Sequence, residues 1–194
     1  FEGSNTTHFS VVDRFGNAVA NTYTLNLGYG MGLIADGTGV LLNNELDDFA
    51  AAPGAPNAFG LVGYDANAPG PRKRPLSSMT PTIVLKAGKP FMVVGSPGGS
   101  RIITVVLQVM TNVIDHGMSI AQAVQAPRIH HQWLPDEVMI EAAVPAETVQ
   151  ALQARGHKVS VRPPLSSANS IMMTEGHLVG AADTRTRGAL AVGY

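Results

Sequence analysis

Two runs of alternating, β-branched residues, 7–13 and 18–25, flank the tetrapeptide Arg14-Phe15-Gly16-Asn17. Alternation at a period of two is the mark of a half-buried strand, and a short turn containing Gly and Asn joins such strands antiparallel. The chain is therefore committed to a β-hairpin with one buried face, and later segments must supply the layer beneath it. Polar residues precede the first strand, so Thr6 puts a hydroxyl at its very start, in Asn5-Thr6-Thr7-His8-Phe9-Ser10.

A hydroxyl at that place is compatible with an ordinary Thr/Ser-rich strand. It is also compatible with a nucleophile. If the bond between Asn5 and Thr6 is cut, the freed α-amine lies beside the hydroxyl and serves as its base. Asn5-Thr6-Thr7 fits the glycosylation triplet as well, a pattern frequent by chance.

The remaining segments alternate between strand and helix signals. Residues 39–44 read as a short buried strand, followed by three acids in Glu45-Leu46-Asp47-Asp48. Residues 50–73, rich in Ala, Pro, Gly and Asn, are too long for an ordinary connection and form a candidate lid, with Phe59, Leu61 and Tyr64 to fold over something. Strands are expected at 81–86 and 90–95 around Ala87-Gly88-Lys89. Ile102, Val105, Val106, Val109, Met110 and Val113 then recur at helical spacing, ending at Gly117. A second helix starts at Ser119 and stops before Pro127. A strand is expected at 137–141, and a helix at 145–155 has Pro at its start and Gly156 beyond its end. Strands at 157–162, 170–174 and 177–182 follow. The order predicts an α/β (α+β) domain of two antiparallel sheets covered by helices.

With 194 residues, 45% hydrophobic, the chain is long enough for one core. A formal net charge of −1 gives no basic excess pointing to nucleic acid or an anionic membrane. There is no cysteine, so disulfides, thiol catalysis and Cys-based metal sites are excluded. No apolar run approaches the ~18 residues of a membrane span. The six histidines lack metal-ligand spacing, and neighbours His130 and His131 face opposite sides of a strand. They are expected to be structural, as Trp133 is expected to pack. No cofactor is expected.

Several residue groups make chemical sense together. Gly98-Gly99, between a strand and a helix, lets the backbone approach a ligand with helix-start amides pointing outward, as an oxyanion hole requires. Ser77-Ser78 suits a carboxylate. Asp48, near Glu45, suits an ammonium. Thr24 and Asn26, at the end of the second strand, fall near Thr6 if the hairpin is in register. Each also has an ordinary reading as turn or strand chemistry. Together they are the parts needed to hold a free amino-acid end and attack an amide beyond it.

The segments Thr6-Thr7-His8-Phe9-Ser10-Val11-Val12-Asp13, Leu41-Leu42-Asn43-Asn44-Glu45-Leu46-Asp47-Asp48-Phe49, Lys73-Arg74-Pro75-Leu76-Ser77-Ser78-Met79-Thr80-Pro81-Thr82 and Gly95-Ser96-Pro97-Gly98-Gly99-Ser100-Arg101-Ile102 resemble the small subunit of γ-glutamyltranspeptidases. The resemblance runs from about Thr6 to Tyr194. It implies an N-terminal-nucleophile hydrolase fold, an αββα four-layer sandwich of which this is the small-subunit part. It also implies a precursor that cuts itself at the bond between Asn5 and Thr6, leaving residues 1–5 as the tail of the large-subunit side and 6–194 as the catalytic small subunit.

By resemblance, Thr6 is the nucleophile and Thr24 bonds to it. Asn26, Glu45 and Asp48 hold the glutamyl α-amine, Ser77 and Ser78 its α-carboxylate, and Gly98 and Gly99 form the oxyanion hole. Residues 53–64 match the bacterial lid loop, with Phe59 where that loop often has Tyr, so that a hydroxyl contact is lost. The implied activity is γ-glutamyl transfer and hydrolysis on glutathione and related compounds. The implied partner is the large subunit, in an obligate heterodimer, and the implied compartment is periplasmic or secreted, with a signal peptide upstream. The alternatives are a cephalosporin (glutaryl) acylase of the same superfamily and a non-catalytic binding protein on this scaffold.

Overall fold

A computed structural model describes residues 6–194. The first five residues, and with them the bond between Asn5 and Thr6, lie outside the described residues.

Strands β1 (Thr6–Val12) and β2 (Ala18–Thr24) form the expected hairpin. The register pairs Thr6 with Thr24 and Val12 with Ala18. Asp13 closes the turn, its carboxylate accepting from the amides of Phe15 and Asn17 and from the Asn17 side chain, while Gly16 takes φ 83°. Along β1 the odd positions Phe9 and Val11 are exposed, whereas His8 is buried.

The layer beneath is a four-stranded antiparallel sheet in the order β3–β4–β8–β9, made of β3 (Thr82–Lys86), β4 (Lys89–Gly95), β8 (Asn169–Thr174) and β9 (His177–Ala181). Alternation along β4 decides what each face touches. Met92 and Val94 join the core formed with α1 (Arg101–Ile114) and α2 (Ile120–Gln125). Gly95 faces the other way, under the hairpin. A Cβ at Gly95 would stand 2.2 Å from the His8 ring, so only glycine leaves room for that imidazole. Ile102, Val105, Val106, Val109 and Val113 are the buried stripe of α1, and full burial of each such side chain stabilises by about 1.5–3 kcal/mol. A capping box of Ser119 and Gln122 starts α2.

A smaller sheet contains β5 (Ile129–His130), β6 (Val138–Glu141) and β7 (Val159–Arg162), with α3 (Ala146–Ala154) linking β6 to β7. Here the expectation of two wholly antiparallel sheets is corrected. There are three sheets among the described residues, and β6 pairs with β7 in parallel, because the α3 crossover returns the chain in the same direction. The two-residue β5 has too little sequence to signal itself.

The expected buried strand at 39–44 is also corrected. Only an isolated bridge from Ile34 to Leu41 forms, and Val40 is 57% exposed. Gly39 turns at φ 72°, the backbone of Val40 and Leu42 bonds to that of Met31, Leu33 and Ala35, and the Asn43 and Asn44 side chains accept from the amides of Glu45 and Leu27.

The 50–73 segment is internally bonded. Gly54 donates to the Gly63 carbonyl, Asn57 to that of Leu61, and Ala50 to that of Asn67. The Asn57 side chain accepts from the amides of Phe59 and Leu61. No helix among the described residues is long and apolar enough to cross a membrane.

Candidate active site

Hairpin register brings the Thr6 hydroxyl 3.1 Å from that of Thr24, to which it donates. Thr24 Oγ1 also accepts from the Asn26 amide at 2.9 Å. Asn26 is buried, at φ 73°, a backbone region that Asn tolerates better than most residues. Its Nδ2 donates to the Asn44 carbonyl at 3.2 Å. Thr6, Thr24 and Asn26 therefore form one hydrogen-bonded series that ends on the residue before Glu45.

Glu45–Asp48 is a single 3-10 turn carrying both acids. Burial, then the hydrogen bond to Asp48, pushes the Glu45 carboxyl up to about 7. Burial likewise raises Asp48, against the hydrogen bond from Glu45, which lowers it. Glu45 Oε1 is buried without a hydrogen-bond partner. Two neighbouring acids whose carboxyls burial disfavours as anions, one of them with an unsatisfied acceptor, suit a cationic donor such as an ammonium.

Asn67 ties this turn to the serine pair. Its Nδ2 donates to the Asp48 carbonyl, and its Oδ1 accepts from the Leu76 amide, one residue before Ser77. Ser77 Oγ accepts from the Met79 amide. Asp48, Asn67 and Leu76 line one cleft of about 280 Å3 with part of the 50–63 segment. A larger cleft, about 710 Å3, runs between β1, β8, β9 and the C-terminal residues, and none of the sequence-predicted site residues lines it.

Gly98 and Gly99 end the β4–α1 connection with φ 122° and 58°. Both are hemmed in. A Cβ on Gly98 would meet Ser166 Oγ at 2.4 Å, and one on Gly99 would meet the Phe59 ring at 2.5 Å. The turn is thus pressed from one side by Ser166 and covered on the other by the loop residue Phe59. The Phe59 ring packs on Gly99, and Gln132 Nε2 donates to the Phe59 carbonyl at 3.1 Å.

Ser166, at φ 63°, donates to the Pro97 carbonyl and lies 3.0 Å from Ser96 Oγ. Its own carbonyl accepts from Arg128 Nη1 at 3.0 Å. Arg128 is 1% exposed and paired with Asp183 at 2.6 Å. Asp183 also accepts from Arg185, which pairs with Glu141. Sequence reasoning missed this buried ion network, as well as Asn67, Asn44, Gln132 and Ser166. Arg128, within Ala126-Pro127-Arg128-Ile129, stands among apolar residues, and that was the one available signal.

The histidines agree in part with their structural reading. His8 is held between Thr22 and Ser10, and burial pulls its imidazole down to about 4. His130 is buried against Thr104 and Gln132, while His131 faces out and meets Asp136. No metal-binding cluster occurs among the described residues. Trp133 does not pack as expected. It is 61% exposed at φ 74°.

The fold is that of the N-terminal-nucleophile hydrolases, with the Thr6 hydroxyl at the start of a hairpin strand and Gly98-Gly99 at a strand-to-helix turn. The chain belongs to the γ-glutamyltranspeptidase family, whose profile matches residues 1–193. It is 56% identical to the glutathione hydrolase proenzyme of Escherichia coli (strain K12), over 100% of this chain and 34% of that protein. It is similar in structure to a gamma-glutamyltranspeptidase mutant of Helicobacter pylori, at 55% identity and a TM-score of 0.88, covering 93% of this chain and 100% of that one. A cephalosporin acylase from Bacillus halodurans is more distant, at 29% identity and a TM-score of 0.79, over 92% of this chain and 32% of that one. The chain spans about a third of the length of the proenzymes it matches, 34% and 36% for two of them.

Proposed function

We propose that this chain is the catalytic small subunit, 6–194, of a γ-glutamyl transferase and glutathione hydrolase. The observation that carries the reading is the hydroxyl pair Thr6–Thr24, joined through Asn26 and Asn44 to the Glu45–Asp48 acids. Maturation begins with the Thr6 hydroxyl attacking the Asn5 carbonyl. The peptide nitrogen leaves as the Thr6 α-amine, and water opens the resulting ester. Residues 1–5 then remain with the large-subunit side.

In the mature enzyme the α-amine takes the hydroxyl proton as Thr6 attacks the γ-carbonyl of glutathione or a related amide. The Gly98 and Gly99 amides stabilise the oxyanion, and losing one such donor typically costs about 2.7–4 kcal/mol. Cysteinylglycine leaves with the proton. Water or the amine of an amino acid or dipeptide then takes the γ-glutamyl group from its ester. Asn26, Glu45 and Asp48 hold the α-ammonium, Ser77 and Ser78 the α-carboxylate, and residues 53–64 act as the lid. The partner is the large subunit of the same precursor, and the compartment is periplasmic or secreted.

A glutaryl substrate lacks the ammonium, so it would leave the Glu45–Asp48 pair without its cation. That argues against the acylase reading. A binding protein would not need the Thr6–Thr24 pair. The test is Thr6→Ala in the full precursor, which should abolish both cleavage, read on a gel and by N-terminal sequencing, and turnover of a chromogenic γ-glutamyl amide. Normal processing of that variant overturns the reading.

A further inference from the structure

Gln132 uses every hydrogen-bonding function of its carboxamide. Nε2 donates to the carbonyls of Phe59, at 3.1 Å, and Leu134, at 3.2 Å. Oε1 accepts from Ser100 Oγ at 2.7 Å and lies 2.9 Å from His130 Nε2. The orientation is forced, because rotating the amide would set its oxygen against two carbonyls that have no proton to give. Phe59 is in the 53–64 loop, and Ser100 directly follows Gly98-Gly99 at the start of α1. The His130 ring, buried and held by Thr104 from within α1, backs the amide from behind.

We propose that Gln132 is a positioning residue that latches the 53–64 loop onto the Gly98-Gly99 turn. The loop's seat over Gly99 and the placement of the turn's amides are then set by one side chain. This rests on the γ-glutamyl reading, in which the loop covers the substrate and the turn binds the oxyanion. The bond to the loop is to main chain, so loop sequence is free to vary while the latch is kept. Loop opening breaks one donor contact and leaves the Ser100 and Leu134 contacts in place, so the latch is ready for the next closure.

The test uses the processed heterodimer. Gln132→Glu keeps size and the acceptor for Ser100 but cannot donate to Phe59 or Leu134. Gln132→Met, which keeps length without polar function, serves where the first variant folds poorly. We expect amide hydrogen exchange in 53–64 and 96–101 to quicken about tenfold, with β1 and β2 unchanged, and KM for a γ-glutamyl anilide to rise about tenfold with a smaller change in kcat. In an enzyme whose 53–64 loop is replaced by a short linker, the same substitution should no longer alter KM. Unchanged exchange in 53–64, a uniform rise throughout the chain, or an undiminished effect in the short-loop enzyme each overturns the latch. Exchange is read without substrate and so reports on the latch alone, whereas wild-type turnover of the anilide tests the γ-glutamyl reading.

Discussion

The side chain of Asn67 donates to the main-chain carbonyl of Asp48 at 2.7 Å. Through its other end it accepts from the Leu76 amide at 2.9 Å. One short, rigid side chain therefore sets the spacing between the acid turn and the segment leading to Ser77-Ser78. A ligand bearing both an ammonium and a carboxylate on one carbon would be gauged by that spacing.

Replacing Asn67 by Leu keeps the branched outline and removes both bonds. Each bond is worth about 0.5–1.5 kcal/mol, so KM for a γ-glutamyl anilide should rise roughly tenfold while kcat changes little. Initial-rate kinetics on the processed enzyme decide this. A fall in kcat with KM unchanged would assign Asn67 to the reaction centre instead.

Thr24 offers a cleaner contrast. Thr24→Ser keeps the oxygen that accepts from Thr6 and from the Asn26 amide, whereas Thr24→Val keeps the shape and loses both bonds. The Val variant should be about tenfold or more slower in kcat and slower in processing, with Ser close to wild type. Equal losses in the two variants would point to packing rather than the hydroxyl.

Much of this arrangement is legible in the sequence because it follows local rules. Period-two alternation and the Gly16 turn place Thr24 across from Thr6 with no further information. Helical spacing locates α1, and the strand–glycine–helix order locates Gly98-Gly99. The acids of 45–48 lie within one turn, so their meeting is also local. What escapes is polar and long-range. Arg128 meets Asp183 across 55 positions, and Gln132 reaches Phe59 across 73. Neither pair leaves a periodic mark, and Asn67 looks like any loop asparagine until its two partners are known. The failure at 39–44 has a different cause: apolar Val40-Leu41-Leu42 resembles a buried strand, and its backbone does bond to residues 31–35, but the pairing amounts to one bridge at the surface and leaves Val40 exposed.

The raised carboxyl of Glu45 predicts a pH dependence. Glu45 titrates at about 7, raised first by burial and then by its bond to Asp48. A cation binds best once Glu45 is ionised, so kcat/KM should climb as pH rises through about 7 and level off above it. Glu45→Gln should flatten that limb. Stability moves the opposite way. Below the unfolded carboxyl value of 4.5 both states hold the proton, and Glu45 contributes no difference. Between there and about 7 the unfolded chain releases the proton while the native state keeps it, so ligand-free stability falls as pH rises. Thermal melts across that window, compared with Glu45→Gln, should show the fall only with Glu45 present. A melt that tracks the variant throughout would remove the pair from the account.

The last prediction concerns how a buried ion network reaches the glycine turn. Asp183, fully buried, accepts from Arg128, from Arg185 and from the Ala168 amide. Arg128 in turn holds the carbonyls of Leu165 and Ser166, and Glu141 accepts from the Leu165 amide. The 165–168 segment is thereby fixed at several points, and Ser166 is driven against Pro97 and Gly98. Asp183→Asn strips the charge that compensates Arg128, and breaking a buried pair in this way costs about 3–5 kcal/mol. Denaturant unfolding of the processed heterodimer should show that loss. Ser166→Gly separates support of the turn from support of the fold, because glycine accepts φ 63° and only the hydroxyl contacts disappear. It should leave stability within about 1 kcal/mol while lowering kcat about tenfold at unchanged KM. Should Ser166→Gly retain full kcat, the ion network would stabilise the domain without setting the amides of Gly98 and Gly99.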